Sequence, residues 1–481
     1  MTLELEKLSR RQRRLAEKYG PPQPFIDALL MAQRYHQEGR WQEAELIYGQ
    51  ILEAYPNQPD ALHYLGVLAH EDGRLELAVK FIRKALRIRP SDVGALVNLG
   101  NVLTDQGRLD DAVETFRKAL RIDSNIAQGH YNLGITLKQL GRIDEAIAAF
   151  RKALLLQPNL PDAHWNLATT LLLDGQFSEG WQEHEWRWAA KGRDNVRNKG
   201  NVPQPGWDGS PLNGRTVFLH TEQGLGDDLF FLRFAPRLKK HGARICHDPD
   251  PKIASIISRL PFIDKVSAKG EEPQGTDIVL YVGDLPLFVG MKSASDIPPA
   301  YDLAVEDERL ARMKARLSSL GPGPYIGVTF RAGTVNRPGN YYKEVPLAGL
   351  GPALAGLGAT FLALQRLPKA GEIERLSEAI GRPVHDFTAL NDDLEEMLAL
   401  LSLIDEYVTV SNTNVHLRAG TGRTSRVLVP KLVEWRWMAK GDESPWFPDC
   451  KVYRQQVDGS WDAAFAALAA DLNGAFGRTM S

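Results

Sequence analysis

The sequence predicts a multidomain fold: an all-α array of helix-turn-helix repeats, then two α/β domains with parallel, doubly wound sheets. Three observations predict it. Glycines recur at Gly39, Gly73, Gly107, Gly141 and Gly175, at a constant spacing of 34. Past residue 213 short apolar strands alternate with helical segments, and this alternation runs through two successive sets. The length of 481 residues is too great for one ordinary core and suits roughly two to four domains.

Composition removes several classes. Hydrophobic residues are 43% and charged residues 25%, an ordinary soluble balance. A net charge of -2 gives no electrostatic case for nucleic acid as the main partner. No apolar run approaches the roughly 20 residues of a membrane span, so no integral membrane association is expected. The first residues lack the apolar core of a secretory signal, and Cys246 and Cys450 are too few for a disulfide framework or a metal cluster. A cytoplasmic protein with no metal and no permanently bound cofactor is the expectation.

The repeat carries further registers. Ala44, Ala78, Ala112 and Ala146 keep the period, with Gly180 in the fifth place, as do Leu65, Leu99, Leu133 and Leu167. Pro56, Pro90 and Pro158 end three units, and Ser124 replaces the other proline. Units of this kind stack because none can bury its apolar face alone. The small residues are read as letting one helix approach another closely. The pattern resembles the tetratricopeptide repeat, over residues 25–188, with residues 1–24 as a basic N-terminal helix or cap. Asn98, Asn132 and Asn166 recur one place before the leucines, with Tyr64 in the earlier unit. A carboxamide can donate to and accept from a peptide backbone. The ladder therefore either holds an extended peptide or ties neighbouring repeats together.

Residues 189–213 are polar and rich in Gly, Pro and Asn, which reads as a linker or ordered crossover. Trp181, Trp186, Trp188 and Trp207 surround it and are expected to pack the last repeat against the next domain. Strands "RTVFLH", "ARICHD" and "DIVLYVG" mark a first α/β domain, 214–308. "PYIGVTF", "ATFLALQ", "PVHDF", "YVTVS" and "RVLVP" mark a second, 309–460. The segment 461–481 is an amphipathic helix expected to return and brace the first half.

Ligands of such sheets bind at the carboxyl ends of the strands. The loop "HTEQGLGDD" follows the first strand; Asp227 there is either a base facing the cleft or a cap for the helix that follows. Asp228 competes for the same role, and Gln223 in the loop is assigned to the acceptor side with the asparagines. Arg331, Arg337 and Lys343 lie on a polar loop after a strand, as counter-charges for a leaving diphosphate or as a solvated basic loop. Gln365 ends a strand. Thr413 and Asn414 begin a helix and either bind a diphosphate or cap it; His416 either contacts ligand or is a structural histidine.

"HTEQGLGDDLFFLRFAPRLKKHGARI" resembles the opening of the heptosyltransferase-like glycosyltransferases of GT-B architecture. "VSNTNVHLRAGTGR" resembles their donor motif, and "VEWRWMAKGDESPWFPDCKVYRQ" the end of bacterial proteins that fuse tetratricopeptide repeats to such a module. The fusion also resembles the protein O-linked N-acetylglucosamine transferases. The resemblance implies two Rossmann-like halves and an inverting, metal-independent transfer of sugar from a nucleotide-sugar donor to a hydroxyl. It implies Asp227 as base and Arg331, Gln365, Thr413, Asn414 and His416 on the donor, where Lys343 of the basic loop is assigned as well, with a protein or peptide acceptor on the repeats. Homo-oligomers are compatible with it. Four positions depart from the family pattern: Asp228 stands where Thr is more frequent, Asn412 where Asp is usual, Phe330 where Trp is frequent, and Arg418 where a small or apolar residue is typical. The alternatives are a non-catalytic protein-binding scaffold with a degenerate GT-B module, or a transferase acting on a saccharide or lipid-linked glycan. A nicotinamide dehydrogenase is disfavoured because "GLGDD" does not complete the dinucleotide fingerprint.

Overall fold

The computed structural model describes residues 23–190, 210–222, 224–333, 343–431 and 434–476. Most of the basic cap, most of the crossover with Trp207, and Gln223 and Arg337 lie outside the described residues. The chain divides into two compact units, residues 1–166 and 167–481.

The first unit is a run of antiparallel helix pairs: α1 (Gln23–Gln37) with α2 (Trp41–Ala54), α3 (Pro59–Glu71) with α4 (Leu75–Ile88), α5 (Val93–Asp105) with α6 (Leu109–Ile122), and α7 (Ala127–Gln139) with α8 (Ile143–Leu156). A further helix, α9 (Pro161–Asp174), begins here and continues into the second unit. The first unit of the repeat thus has a regular leading helix, α1. The periodic glycines do a different job from the one the spacing suggested. Gly39, Gly73, Gly107 and Gly141 adopt φ of +73° to +74°, the left-handed region, two residues past the end of each leading helix. The next residue closes a six-residue ring, as in Arg74 N–H to Ala69 O at 2.7 Å and Arg108 N–H to Leu103 O at 2.9 Å. This is a Schellman stop, which needs glycine for its backbone angles.

Close approach falls instead to Gly66, Gly100 and Gly134 inside the leading helices. A Cβ on Gly100 would lie 2.5 Å from Phe116 Cε1, and one on Gly134 2.6 Å from Phe150 Cε1. Alanine would gain about 1 kcal/mol of helix propensity over glycine. Gly100→Ala is nevertheless expected to lower stability by about 1–2 kcal/mol through overpacking. Urea unfolding should show the loss, and Phe116→Leu in the same chain should return part of it.

The second unit carries α9's end, α10 (Phe177–His184) and two parallel sheets. The first sheet holds β1 (Thr216–His220), β2 (Arg244–Asp248), β3 (Lys265–Val266) and β4 (Ile278–Tyr281), in the order β3-β2-β1-β4. The second holds β5 (Tyr325–Thr329), then, after the antiparallel pair β6 (Arg331–Ala332) and β7 (Lys343–Glu344), β8 (Thr360–Ala363), β9 (Val384–Asp386), β10 (Glu406–Val410), β11 (Arg426–Val429) and β12 (Lys451–Arg454). Its order is β12-β11-β10-β5-β8-β9. Five of its six strands were legible as apolar runs; β12 lay in the tail read only for its resemblance.

One apolar core joins the first sheet to residues on the flank of the second, including Phe230, Trp437, Trp446 and Phe447, and takes in Leu172, Phe177 and Trp181. Trp181 is buried and meets Trp435 and Trp446 edge-on, at 5.3 and 6.2 Å between ring centroids. Tryptophan packing at this junction agrees with the expectation. The C-terminal helix does not. It spans Asp462–Phe476 and packs on β12 and the helix Leu347–Leu354, so it braces the second sheet, not the first half. Its apolar face, Phe465, Leu468 and Leu472, is complementary to that side of the second sheet.

Candidate functional site

Reversals of strand order mark two crevices. In the first sheet the chain runs from β1 outward through β2 and β3, then returns to β4 on the other side; in the second it runs from β5 through β8 and β9, then returns to β10. The crevices sit at the carboxyl ends of β1 with β4, and of β5 with β10.

The first crevice receives an arginine from the segment after α10. Arg187 is fully buried. Its Nε donates to Glu222 Oε1 at 2.8 Å, its Nη2 to Glu222 Oε2 at 3.1 Å and to Asp284, and its Nη1 to Glu185 at 3.0 Å. Burial alone would lower the guanidinium; the three carboxylates outweigh it and raise it. Trp188 lies against Tyr281 of β4, 4.5 Å between centroids.

The other end of the same loop meets a second arginine. Asp227, in the first turn of α11 (Leu225–Phe231), pairs with Arg436. The Arg436 guanidinium also lies 4.5 Å from the Phe230 ring centroid. Both arginines belong to the tetrapeptide Glu-Trp-Arg-Trp, which occurs at 185–188 and again at 434–437, in a 3-10 turn each time. These two arginines were missed by motif reading. The repeated tetrapeptide was the available signal.

Asp228 faces inward. It is fully buried, and Thr221 Oγ1 donates to its Oδ2 at 2.6 Å. Its Oδ1 has no partner among the described residues, nor has His247 Nε2, which lies 3.8 Å from Asp228 Oδ2. Burial first, then the charges of Asp227, Asp248 and Asp250, push the Asp228 carboxyl up to about 7.

At the second crevice the assigned residues divide. Thr413 and His416 lie on α16 (Thr413–Ala419), which follows α12 (Asp307–Ser318), α13 (Leu347–Leu354), α14 (Glu372–Ile380) and α15 (Leu394–Leu403). A Cβ on Gly226 would sit 3.2 Å from His416 Cδ2 and 3.7 Å from Thr413 Oγ1, so the first turn of α11 meets the first turn of α16. His416 Nδ1 is buried without a partner among the described residues; burial, then Arg436, Arg233 and Lys343, hold the imidazole far below its ordinary value. Lys343 Nζ donates to Ser411 O at 3.0 Å and pairs with Glu434, whose other oxygen accepts from Ser411 Oγ at 2.8 Å.

Arg331 and Gln365 serve each other and the fold. Arg331 gives Nη2 to Glu372 Oε2 at 2.8 Å and to Leu367 O at 3.0 Å. Gln365 accepts from Arg331 N at 3.0 Å and donates to Arg331 O at 2.9 Å. Asn414 is buried beneath the helix start. Among the described residues no group of three or more His, Cys, Asp or Glu side chains is placed to hold a metal.

In the first unit the asparagines tie repeat to repeat. Asn98 Nδ2 lies 2.8 Å from His63 Nε2, Asn132 Nδ2 donates to Asn101 Oδ1 at 2.7 Å, and Asn166 Nδ2 reaches Tyr131 Oη at 3.4 Å. Asn132 Oδ1 also accepts from Gln128 at 2.7 Å.

Comparison with known proteins bears on this part of the chain. Tetratricopeptide-repeat family models match residues 29–93 and 127–160, and a TPR-repeat model matches 100–141. The first unit is a tetratricopeptide-repeat array. Protein FlbA of Caulobacter vibrioides is 24% identical over 327 residues, 63% of this chain and 53% of that protein. The chain therefore spans about half the length of the curated relative it matches. Solved structures that resemble it include MamA of Desulfovibrio magneticus, 21% identical over 34% of this chain and 92% of that one, TM-score 0.31. PilF of Pseudomonas aeruginosa is 22% identical over 37% and 78%, TM-score 0.33. A thermophilic TPR protein of Thermus thermophilus is 22% identical over 34% and 88%, TM-score 0.30. In the second unit, among the described residues, no helix is long and apolar enough to cross a membrane, and the same holds for the tetratricopeptide array.

Proposed function

We propose that this chain is a protein-binding tetratricopeptide scaffold joined to an α/β body of GT-B type that does not turn a sugar donor over. The supporting observation is that the polar groups required for transfer are engaged within the fold. Asp227 is held by Arg436, Lys343 by Glu434, and Arg331 by Glu372. The first crevice holds Arg187 in place of a ligand. The repeats supply the protein-binding surface, as stacked helix pairs do generally.

A second reading stands on a different observation, the contact of the first turn of α11, at Gly226, with Thr413 and His416. In that reading the body is an inverting, metal-independent glycosyltransferase using a nucleotide sugar. Asp227 exchanges Arg436 for an acceptor hydroxyl and takes its proton as the oxygen attacks the anomeric carbon. The departing diphosphate takes its counter-charge from Arg436 and Lys343 and hydrogen bonds from the start of α16. The acceptor is a protein on the repeats, a saccharide or a lipid-linked glycan.

Calorimetric titration with UDP, GDP, ADP and CMP separates the two. The scaffold reading expects no micromolar binding of any of them by folded protein. Micromolar binding of one, lost in His416→Ala, together with sugar transferred to a bound protein, overturns it in favour of the transferase.

A further inference from the structure

The second helices of three successive repeats end alike. Arg83, Lys84 and Arg87 on α4 have Arg117, Lys118 and Arg121 as equivalents on α6, and Arg151 and Lys152 on α8. The shared period places them at equivalent points of neighbouring helices. Arg117 donates to Glu145 at the start of α8 at 2.7 Å, so α6 and α8 are adjacent. Six of these eight bases are exposed, and Lys84 and Lys152 are half-buried. Aliphatic side chains stand among them in the open: Ile88 is 42% exposed, Ile122 45%, and Leu155, at the place equivalent to Arg87 and Arg121, 74%.

Helix dipoles account for a base in a last turn. They do not account for exposed isoleucine and leucine in the same rows. The acids on or beside these stretches are Glu53, at the place on α2 equivalent to Arg87, with Glu114, Asp123 and Glu145. Asp110, Asp111 and Asp144 begin the helices, about 10–15 Å from the bases of their own helix at 1.5 Å per residue, and across helices the start of α8 reaches Arg117 through Glu145. Toward the C-terminal ends of α4, α6 and α8 bases therefore outnumber acids, although the chain as a whole carries a net charge of -2.

We propose that this basic and aliphatic ridge docks the repeat array on an anionic lipid surface. Clusters of four to eight Lys and Arg are what such surfaces attract, and the aliphatics add insertion at the headgroup boundary. A nucleic acid fits less well: Phe116 and Phe150 of these helices are buried, so no aromatic is offered for stacking.

The test is flotation of the full chain with vesicles of phosphatidylcholine alone or with about 30% phosphatidylserine. Binding is expected only to the anionic vesicles, with release near 0.5 M salt. Lys118→Glu with Arg121→Glu should weaken it about tenfold or more, and Leu155→Ser several-fold. The proposal is overturned by equal binding to both vesicles, by none, or by binding that survives the double reversal. Duplex DNA bound as tightly as vesicles, with no effect of Leu155→Ser, also overturns it. Should the reversal unfold the array in a thermal melt, Lys118→Gln with Arg121→Gln poses the same question. Nucleotide titration is independent of this outcome.

Discussion

Arg187→Met is expected to cost about 3–5 kcal/mol of folding stability, the largest loss from any single change in the second unit. Methionine keeps the volume and the apolar stem but removes the fork of donors. Glu222 and Asp284, with side chains 6% and 4% exposed, would then remain buried without their guanidinium. The cost lies in those stranded charges and not in a lost attraction. Two controls follow. Arg187→Lys keeps a charge but not the two-pronged fit to Glu222, and should recover only part of the loss. Arg187→Met with Glu222→Gln and Asp284→Asn should recover most of it, because a neutral core of similar volume often matches a buried ion cluster. Urea midpoints at neutral pH decide. A loss under about 1 kcal/mol in the single variant would mean that solvent reaches the carboxylates and that the first crevice is open to ligand.

How far the sequence foretold this arrangement depends on the distance over which each feature acts. The repeats were legible because helix periodicity and the glycine stop are local. The role of the periodic glycines was misread because close approach and left-handed stops favour the same residue, and only geometry separates Gly73 from Gly100. Strands of the sheets were legible as apolar runs. The ion pairs that close the candidate site were not, since Arg187 and Glu222 are 35 residues apart and Arg436 and Asp227 are 209 apart. No period links them.

Two departures from the family pattern also became intelligible in three dimensions. Asn412 caps α16 through Val415 N–H and donates its Nδ2 to Thr409 Oγ1 at 2.8 Å and Tyr407 Oη at 3.1 Å. A carboxylate could accept there but could not donate. Arg418 is fully buried and gives its donors to the carbonyls of Leu401, Ile404, Asp405 and Thr424, closing the end of α15. Both are structural choices at a site where sequence comparison alone suggests altered chemistry. Phe330 has no such account beyond being buried.

Asp228→Asn is expected to stabilise the protein by about 2–4 kcal/mol near pH 8 and by almost nothing near pH 4. The sign follows from where the proton is held. The carboxyl sits near 3.8 in the unfolded chain and at about 7 in the native protein. Between those values the native state binds more protons than the unfolded state, so stability falls as pH rises through the window. Above about 7 the full penalty of a buried carboxylate is present. Asparagine removes it and keeps the shape: its carboxamide oxygen accepts from Thr221 in the place of Oδ2. His247 Nδ1 donates to Leu219 O at 2.7 Å, and its Nε2 stays 3.8 Å from Asp228 Oδ2, beyond hydrogen-bond reach. His247 itself, lowered to about 4 by burial, costs stability on acidification, but equally in both proteins. The difference between their urea midpoints across pH therefore isolates Asp228. A flat difference would mean that the carboxyl is ionised at neutral pH and solvated. A rising one means that Asp228 keeps part of its proton up to neutral pH. Its pKa alone would suit a base, but Asp228 is fully buried beneath Thr221, so the transferase reading rests on Asp227 leaving Arg436.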